Sequence, residues 1–471
     1  MPVDAVKTRF APSPTGHIHL GNARTALFNL LLARREGGVF LLRMEDTDIE
    51  RSREEFIHAI QVDLRWLGLE WQEGEGGGGA HGPYRQSQRN ALYERYYAQL
   101  EQAGLAYPCF CSPEELAVSR KARLNAGRPP RYSGKCARLG ERERQLLLEK
   151  GLKPTLRFRV PGGRTIEFED LVRGMQCYKS EEVGDFIIRR ADGTPAFFFA
   201  NAIDDSLMGV THVLRGEDHL ANTPRQLLLL EALRLPAPRY GHISLITGGD
   251  DSPLSKRHGS LSVASLREAG FLPGAIVNFL ARMGHYYGHD HFLDLSRLAE
   301  QFELDRLSRA PAAYDDARLL YWQKEAVGHA QSDELWSWAG PEVHSIVPEG
   351  EAESFVSAVR QNVLMPDDML AWARIIYQDD IELDSKGLSV VQGAGGDFFR
   401  HALEALVLHG TDFRALAAEV GKRSEVKGKA LFMPLRVALT GKEEGPEMAK
   451  LLPLLGTERA RRRLEKWVNT R

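Results

Sequence analysis

Long apolar runs, cysteines and net charge are all scarce in this 471-residue sequence. No window holds about 18 consecutive apolar residues, which excludes a transmembrane helix. The first residues lead directly into a polar, turn-rich segment, so no signal peptide is expected. A formal net charge of −3 does not by itself indicate a nucleic-acid partner. These shortages predict a cytoplasmic protein with no membrane partner.

The charge is unevenly distributed along the chain. Between Arg120 and Arg159 there are thirteen Lys and Arg residues against three acids, a local excess of +10. Such a segment forms either a face that binds a polyanion or basic helices that are simply solvated. Composition leaves both interpretations open.

The first hundred residues alternate strand and helix as a parallel α/β sheet requires. The chain is too long for one hydrophobic core, so we expect two to four packed units. "AVKTRF" is typical of a buried strand, and apolar residues at helical spacing predict a helix over Leu20–Arg35. Val39–Met44 is expected to form a second strand. Ser52 and Glu55 fit a capping box at the start of the next helix.

This pattern is interrupted in the middle of the chain and then resumes. Residues 96–195 mix short helices with strand-like runs and contain all four cysteines, which predicts an inserted domain. "MGVTHVLRGEDHL" restores a strand over Val210–Leu214. Pro224 suits the first residue of a helix that continues to Leu233. Nearly everything beyond Leu261 has helical periodicity.

Polar loops follow three of the predicted strands: "PSPTGHIHLG", "EDTD" and "RGED". Because the carboxyl ends of parallel strands share one edge of a sheet, these loops should form one crevice. His19, at a helix start, can donate to a phosphate oxygen, while Gly16 and Gly21 allow a tight turn. His17 beside it is either half of a metal site or a turn residue. In a later loop, "DDSPLSKRHGS", a mobile Lys256 can follow a pyrophosphate leaving group.

Five segments in order, "RFAPSPTGHIHLGNARTALFN", "LRMEDTDIERS", "GPYRQSQR", "THVLRGEDHLANTPRQ" and "PLSKRHG", closely resemble the bacterial glutamyl-tRNA synthetases. These are class I enzymes with signatures called HIGH and KMSKS. Here the signatures correspond to His19–Asn22 and Pro253–Arg257. Asn22 replaces the second histidine of HIGH. The resemblance makes His19 the residue expected at the ATP phosphates and His17 a turn residue.

The resemblance implies an α/β fold, with a Rossmann-type class I synthetase catalytic domain that carries an inserted acceptor-binding domain. α-Helical stem-contact and anticodon-binding domains are expected to follow. The expected boundaries are 1–95 and 196–250 for the two catalytic halves, 96–195 for the insertion, 251–325 for the stem-contact domain with the KMSKS-like loop, and 326–471 for the helical anticodon-binding domains.

The implied activity is that of a glutamate-tRNA ligase. L-glutamate is activated by ATP, accompanied by Mg²⁺, and the glutamyl-adenylate is transferred to the 3′ end of tRNA(Glu). The residues expected in the glutamate pocket are Arg9, Ala11, Ser13, Glu45, Phe197, Asn201 and Arg215. Those expected at ATP are His19, Gly21, Asp218, Ser255, Lys256 and Arg257, with His19 and Lys256 as catalytic residues. Arginine suits a dicarboxylic substrate because its planar fork binds a carboxylate bidentately.

Two alternatives stay open within this resemblance, and a monomer is expected in each case. A duplicate copy would charge tRNA(Gln), or both tRNAs, with glutamate. A non-catalytic tRNA-binding paralog would have lost His19, Lys256 or Glu45, and none is lost. Phe197 stands where the family often has a tyrosine, which either removes one hydroxyl contact to glutamate or leaves the packing unchanged.

A metal site is the last expectation. Cys109, Cys111 and Cys136 resemble a zinc site that some family members carry, with Tyr132 as the fourth ligand. The alternative is three reduced thiols without a metal. 

Three further side chains are assigned to structural roles. Cys177 is expected in the core. Asp46 and Asp48 are expected to cap the next helix rather than to bind magnesium.

Overall fold

The computed structural model describes residues 5–127, 129–248 and 261–469. Ser255, Lys256 and Arg257 of the predicted KMSKS-like loop lie outside these ranges. Within the described ranges, no helix is long and apolar enough to cross a membrane.

The chain divides into two compact units. Unit 1 comprises Met1–Leu266 and Ile276–Asp316, and unit 2 comprises Arg267–Ala275 and Ala317–Arg471. The five domains expected from the sequence stay a prediction.

Twelve strands and twenty α-helices form the described structure. The strands are β1 Lys7–Phe10, β2 Val39–Leu42, β3 Glu73–Gly74, β4 Ala106–Cys109, β5 Thr155–Phe158, β6 Thr165–Asp170, β7 Gly174–Lys179, β8 Phe186–Arg189, β9 His212–Gly216, β10 Arg239–Ile243, β11 Ile246–Thr247 and β12 Ala312–Ala313. The helices before residue 300 are α1 Leu20–Arg35, α2 Glu54–Trp66, α3 Asn90–Gln102, α4 Pro113–Asn125, α5 Glu141–Glu149, α6 Ser180–Val183, α7 Phe197–Leu207, α8 Thr223–Leu233, α9 Val263–Glu268, α10 Pro273–Arg282 and α11 Leu295–Glu300. The later helices are α12 Asp316–His329, α13 Ser332–Ile346, α14 Ala352–Val359, α15 Pro366–Tyr377, α16 Ser385–His409, α17 Phe413–Arg423, α18 Lys429–Thr440, α19 Met448–Leu455 and α20 Thr457–Glu465.

Two groups of parallel strands that are far apart in the sequence lie side by side in unit 1. β1, β2 and β3 form one parallel sheet, and β9 pairs in parallel with β10. The two groups are joined where the Thr211 backbone N–H donates to the Lys7 carbonyl over 2.9 Å. Asn29 of α1 reaches the second group through a 2.9 Å bond to the Leu214 carbonyl. The predicted parallel α/β arrangement is confirmed.

Helix α1 has the bounds that the sequence predicts. Most of its side chains are buried, because the helix packs on β1, β2 and β9. It ends at a pair of glycines, of which Gly37 has a positive φ of 61°. A Cβ on Gly38 would lie 1.9 Å from the Val6 carbonyl oxygen, so only glycine fits there.

Three local expectations are corrected at the element ends. The capping box is wrong: α2 follows Arg53 without a side-chain cap, and Ser52 Oγ has no hydrogen-bond partner within the described residues. β2 ends two residues before the predicted Met44. α8 begins at Thr223, so Pro224 is its second residue.

The region between α3 and α7 has antiparallel sheets of its own. β4, β5 and β8 form one sheet, and β6 pairs with β7 as a hairpin. The expectation of a buried Cys177 is wrong, because exposed and half-buried residues alternate along β7 and Cys177 falls on the exposed face. Met175 and Lys179 share that face.

Unit 2 is helical throughout its described residues, as the periodicity beyond Leu261 predicts. α13 is interrupted at Gly340, which has a φ of 82° and precedes Pro341. α16 is interrupted at Gly395, which also has a positive φ, of 76°. Trp322 is fully buried.

Candidate active site

A cavity of about 370 Å³ opens where β1, β2 and β9 end. This is the position at which parallel α/β sheets bind ligands. The predicted site residues that line it are Arg9, Ala11, Ser13, His19, Gly21, Glu45, Phe197, Asn201, Arg215 and Asp218. The structure therefore brings together every predicted glutamate-pocket residue and every predicted ATP-site residue that it describes.

Arg215, at the end of β9, is held on one edge by uncharged side chains. Its Nε donates to His242 Nε2 over 3.0 Å. Its Nη2 donates to Thr223 Oγ1 over 2.9 Å and to Gln226 Oε1 over 2.7 Å. The Nη1 atom has no hydrogen-bond partner among the described residues. Because the protein uses the Nε and Nη2 edge, Nη1 supplies the hydrogens that remain for a ligand.

The guanidinium of Arg215 also forms no ion pair with the described residues, although the charges of Asp205 and Glu45 act on it through space. The side chain is buried, and no carboxylate hydrogen-bonds to it within the part of the chain that the structure covers. Burial lowers its pKa to about 10, which leaves the guanidinium protonated at neutral pH. A buried cation that is not hydrogen-bonded to a carboxylate favours an anionic ligand.

Two neighbouring arginines, Arg9 and Arg43, share their charge with carboxylates. Arg9 Nε donates to Asp205 Oδ1 over 3.3 Å, and Arg43 Nη1 donates to the same oxygen over 2.7 Å. Arg43 Nη2 reaches Glu45 Oε1 at 3.1 Å. Burial would raise the pKa of Asp205, but the charges of Arg43 and Arg9 outweigh it and lower that pKa. Burial raises the pKa of Glu45 against the same two charges.

Amide side chains connect these two clusters. Asn201 Nδ2 donates to Glu45 Oε1, and Gln226 Nε2 donates to Asn201 Oδ1 over 2.9 Å. Gln226 in turn accepts from Arg215. A continuous buried network therefore runs from Arg43 to Arg215, and it fixes the side chains that would surround a substrate.

Helix α7 supplies one wall of the cavity. Phe197, Asn201 and Asp205 recur every four residues and so share one helix face. The Phe197 ring stacks on the His219 ring, with 5.2 Å between centroids.

The segment "GPYRQSQR" and the helix α3 that follows it anchor α7. Asp204 of α7 accepts from Gln86 Nε2 at 2.9 Å, from Arg89 Nε at 2.7 Å and from Tyr93 Oη at 2.7 Å. All four side chains are buried. The position of Asn201 in the cavity therefore depends on this anchor.

His19 and His17 have different environments. His19 precedes the first residue of α1 and lines the cavity, and its carbonyl accepts from the Ala23 N–H over 3.0 Å. The His17 ring instead packs edge-on against Phe56. The backbone bends over residues 14–16, where the Thr15 N–H donates to the Ser13 carbonyl over 2.9 Å, and neither Gly16 nor Gly21 has a positive φ.

Asp46 and Asp48 do not cap α2, contrary to expectation. Asp46 accepts from the backbone N–H of Ser87 over 2.8 Å and from its Oγ over 2.6 Å. Asp48 accepts from the backbone N–H of Arg51 over 3.2 Å. Asp46 therefore binds the segment around Ser87, and Asp48 stabilises the turn that leads to Arg51.

The three clustered cysteines lie close enough to bind one ion. The sulfur atoms of Cys109, Cys111 and Cys136 are all within 4.8 Å of one another. Tyr132 Oη lies 3.4 Å from Cys109 Sγ and 3.6 Å from Cys111 Sγ. Zn–S bonds of about 2.3 Å in a tetrahedron require sulfur atoms somewhat under 4 Å apart. Cys111 Sγ and Cys136 Sγ, at 3.6 Å, meet this requirement.

The supporting polar residues of the cavity are not among the side chains predicted from the sequence. These are Arg43, Asp205, His219, Thr223, Gln226, His242 and Asp170. Two of them could have been found from their spacing to predicted pocket residues. Arg43 lies two residues before Glu45, as side chains on one side of an extended chain do, and Asp205 lies one helical turn after Asn201.

Comparisons with known proteins agree with this geometry. The model of the catalytic domain of class I tRNA synthetases (E and Q) matches residues 5–321, and that of an anticodon binding domain matches residues 333–468. The chain is 57% identical to glutamate-tRNA ligase 2 of Nitrosococcus oceani, over 99% of this chain and 98% of that one. It is 55% identical to glutamate-tRNA ligase 1 of Methylococcus capsulatus, over 98% of both.

A solved structure agrees as well. The crystal structure of a glutamate tRNA ligase from Elizabethkingia meningosepticum in complex with its amino acid superposes with a TM-score of 0.89 at 27% identity. That match covers 99% of this chain and 100% of the other. The predicted fold class and the predicted resemblance are confirmed. The chain belongs to the class I aminoacyl-tRNA synthetases of the glutamate and glutamine family.

Proposed function

We propose that this protein is a glutamate-tRNA ligase that joins L-glutamate to tRNA(Glu) at the expense of ATP. The observation that carries the proposal is the buried Arg215, whose Nη1 has no partner among the described residues and whose guanidinium is hydrogen-bonded to no carboxylate there. The names of the relatives at 55–57% identity support the same activity.

The cavity offers complementary groups for each charge of glutamate. Arg215 and Arg9 supply cations for the carboxylates, and Arg215 suits the carboxylate that does not react. Glu45 offers a buried anion to the ammonium group. Phe197 and Asn201 complete the wall on α7, with Ala11 and Ser13 on the loop after β1.

The reaction needs no nucleophile from the protein. The α-carboxylate of glutamate attacks the α-phosphorus of ATP, a carboxyl–phosphate bond forms, and the bond to pyrophosphate breaks. A ribose hydroxyl at the 3′ end of tRNA then attacks the activated carboxyl and AMP leaves. The protein contributes positioning and charge stabilisation.

The phosphates would lie at the start of α1. The N-terminal end of a 16-residue helix carries partial positive charge, and His19 lies beside it. Gly21 and Asp218 line the same cavity. Ser255, Lys256 and Arg257 are proposed from their motif to follow the pyrophosphate, and Mg²⁺ accompanies ATP as part of the substrate.

We further propose a structural zinc ion held by Cys109, Cys111, Cys136 and Tyr132. When bound, the metal would join β4 to the loop that carries Tyr132. The tRNA partner is supported by the anticodon-binding match over residues 333–468. The monomer and the cytoplasmic location stay predictions.

The function is tested by aminoacylation of separate tRNA(Glu) and tRNA(Gln) transcripts with L-glutamate, ATP and Mg²⁺. We expect tRNA(Glu) to be charged. Charging of tRNA(Gln) alone would identify a duplicate copy with a divided duty, and charging of neither would contradict the proposal.

Two histidine variants test the phosphate site with a built-in control. His19→Ala should lower adenylate formation about 100-fold, the usual effect of removing one donor to developing charge. His17→Ala should leave it within about twofold, because the His17 ring packs against Phe56 instead.

Lys256→Ala should also lower adenylate formation severely, and near-normal activity would refute the role given to that loop.

A further inference from the structure

His242 on β10 lies directly behind Arg215, and two hydrogen bonds meet at its Nε2 atom. Arg215 Nε donates to it over 3.0 Å, and Thr223 Oγ1 lies 3.2 Å from it. An arginine Nε–H can only donate, so His242 Nε2 must be an unprotonated acceptor. The proton of the neutral ring is therefore on Nδ1.

Asp170 holds that tautomer in place. His242 Nδ1 donates to Asp170 Oδ2 over 2.5 Å. The other carboxylate oxygen accepts from the backbone N–H groups of Val172, Arg173 and His242 at 3.0, 2.8 and 3.1 Å. Both side chains of the pair are fully buried. The carboxylate therefore has no freedom to turn away from the imidazole.

We infer that Asp170 and His242 are positioning residues that act through Arg215 to set its orientation for the glutamate carboxylate. The inference rests on the proposed function of the cavity. Neither side chain lines the cavity, so neither is expected to touch the substrate. The pair fixes the Nε edge of the guanidinium, and Nη1 is left for the ligand.

The opposite protonation state of His242 would disrupt this arrangement. A proton on Nε2 would point at the Arg215 Nε–H, and two donors would face each other at 3.0 Å. Burial lowers the pKa of His242 and so favours the neutral ring. Asp170 selects which nitrogen of that neutral ring carries the proton.

Two substitutions of His242 separate its two hydrogen bonds. His242→Asn places an amide near the Nδ1 position, where it can still donate to Asp170 but cannot reach Arg215. His242→Gln extends the amide to the Nε2 position, where its oxygen can accept from Arg215. If His242 had only a structural role, His242→Gln would not be expected to bind glutamate better than His242→Asn.

Glutamate activation by the full chain is measured by the pyrophosphate exchange assay in the presence of tRNA(Glu). His242→Asn should raise KM for glutamate at least about tenfold, since a hydrogen bond to a charged group is affected. KM for ATP and kcat should stay within about twofold to threefold. His242→Gln should recover KM for glutamate to within about threefold of the wild type.

Several results would overturn the inference. One is an unchanged KM for glutamate in His242→Asn, and another is equal loss of glutamate and ATP binding in both variants. If His242→Asn does not fold, Asp170→Asn replaces it, and an unchanged KM for glutamate there is equally decisive. A wild-type protein that activates no glutamate would instead overturn the proposed function, and this inference with it.

Discussion

Arg43 Nη1 donates to Asp205 Oδ1 over 2.7 Å at a point where neither side chain reaches solvent. The two residues are 162 positions apart in the sequence. Because Arg43 also holds Glu45, this one guanidinium neutralises two carboxylates beneath the cavity. The cavity floor is therefore part of the folded core of unit 1.

Replacing Arg43 by methionine should lower the free energy of unfolding by about 3–5 kcal/mol, because two buried carboxylates lose their cation. Urea unfolding at neutral pH measures this. Arg51→Met is the matched control: Arg51 is exposed in its ion pair with Asp48, so the substitution should leave the free energy of unfolding nearly unchanged. A loss for Arg43→Met as small as that of the control would contradict the structural role.

Phe197→Tyr should leave KM for glutamate within about twofold of the wild type. The ring already packs on His219, and a hydroxyl added there exchanges one hydrogen bond to water for another. Steady-state pyrophosphate exchange at varied glutamate concentration measures KM. A fivefold decrease would show that the hydroxyl contact missing from this chain matters.

Purified protein should contain about one zinc ion per chain, a typical structural-site stoichiometry. Cys136→Ser should lose most of it, whereas Cys177→Ser should keep it because Cys177 is exposed on a separate hairpin. Tyr132→Phe keeps the ring, which stacks on Arg157, and removes only the hydroxyl. Retention of zinc by Tyr132→Phe would exclude the tyrosine as fourth ligand, and a zinc-free wild type would favour three reduced thiols. Elemental analysis decides among these outcomes.

His285 should make unit 1 less stable in mild acid. Its ring is buried and stacks on Phe302, and burial lowers its pKa from 6.5 to about 4. As pH falls below 6.5, the unfolded chain takes up a proton that the folded chain does not, so stability is full above pH 7 and falls towards pH 4. Between pH 7 and pH 5 the loss is about 2 kcal/mol.

His285→Phe isolates this contribution. The substitution keeps an aromatic ring against Phe302, and other buried histidines such as His242 stay in both proteins. Urea unfolding at pH 7 and pH 5 should show a pH dependence smaller by about 2 kcal/mol in the variant. Identical pH dependence in the two proteins would contradict the prediction.

Local features were predictable from the sequence where their causes are local. The bounds of α1 follow from the spacing of its apolar residues and from Gly37, which ends it. Most pocket residues were predictable because they belong to motifs at strand ends, whereas Phe197 and Asn201 lie on α7. Hydrogen bonds between residues far apart in the sequence could not be predicted, because no local pattern indicates them. Asp46, expected to cap a helix, is held by Ser87, 41 positions away.

Residue-type tendencies failed where the fold overrides them. Cysteine is usually buried, yet Cys177 is exposed. It lies in the two-stranded β6–β7 hairpin, which has one face towards solvent, and its side chain falls on that face. The network behind Arg215 was unpredictable for a related reason. Asp170 and His242 are 72 positions apart, and neither belongs to the motifs that identified the pocket.

The junction between β1 and β9 has a consequence for synthesis of the chain. The Lys7 backbone N–H donates to Thr211 Oγ1 over 2.8 Å, across 204 positions of sequence. β1 therefore leaves the ribosome long before the strand beside which it must lie, while β4, β5 and β8 can pair within their own segment. Arg9 and Arg215 come together only after β9 has emerged. If the cavity binds glutamate as proposed, protection of a nascent chain by glutamate against protease would thus mark the moment at which β1 and β9 have come together.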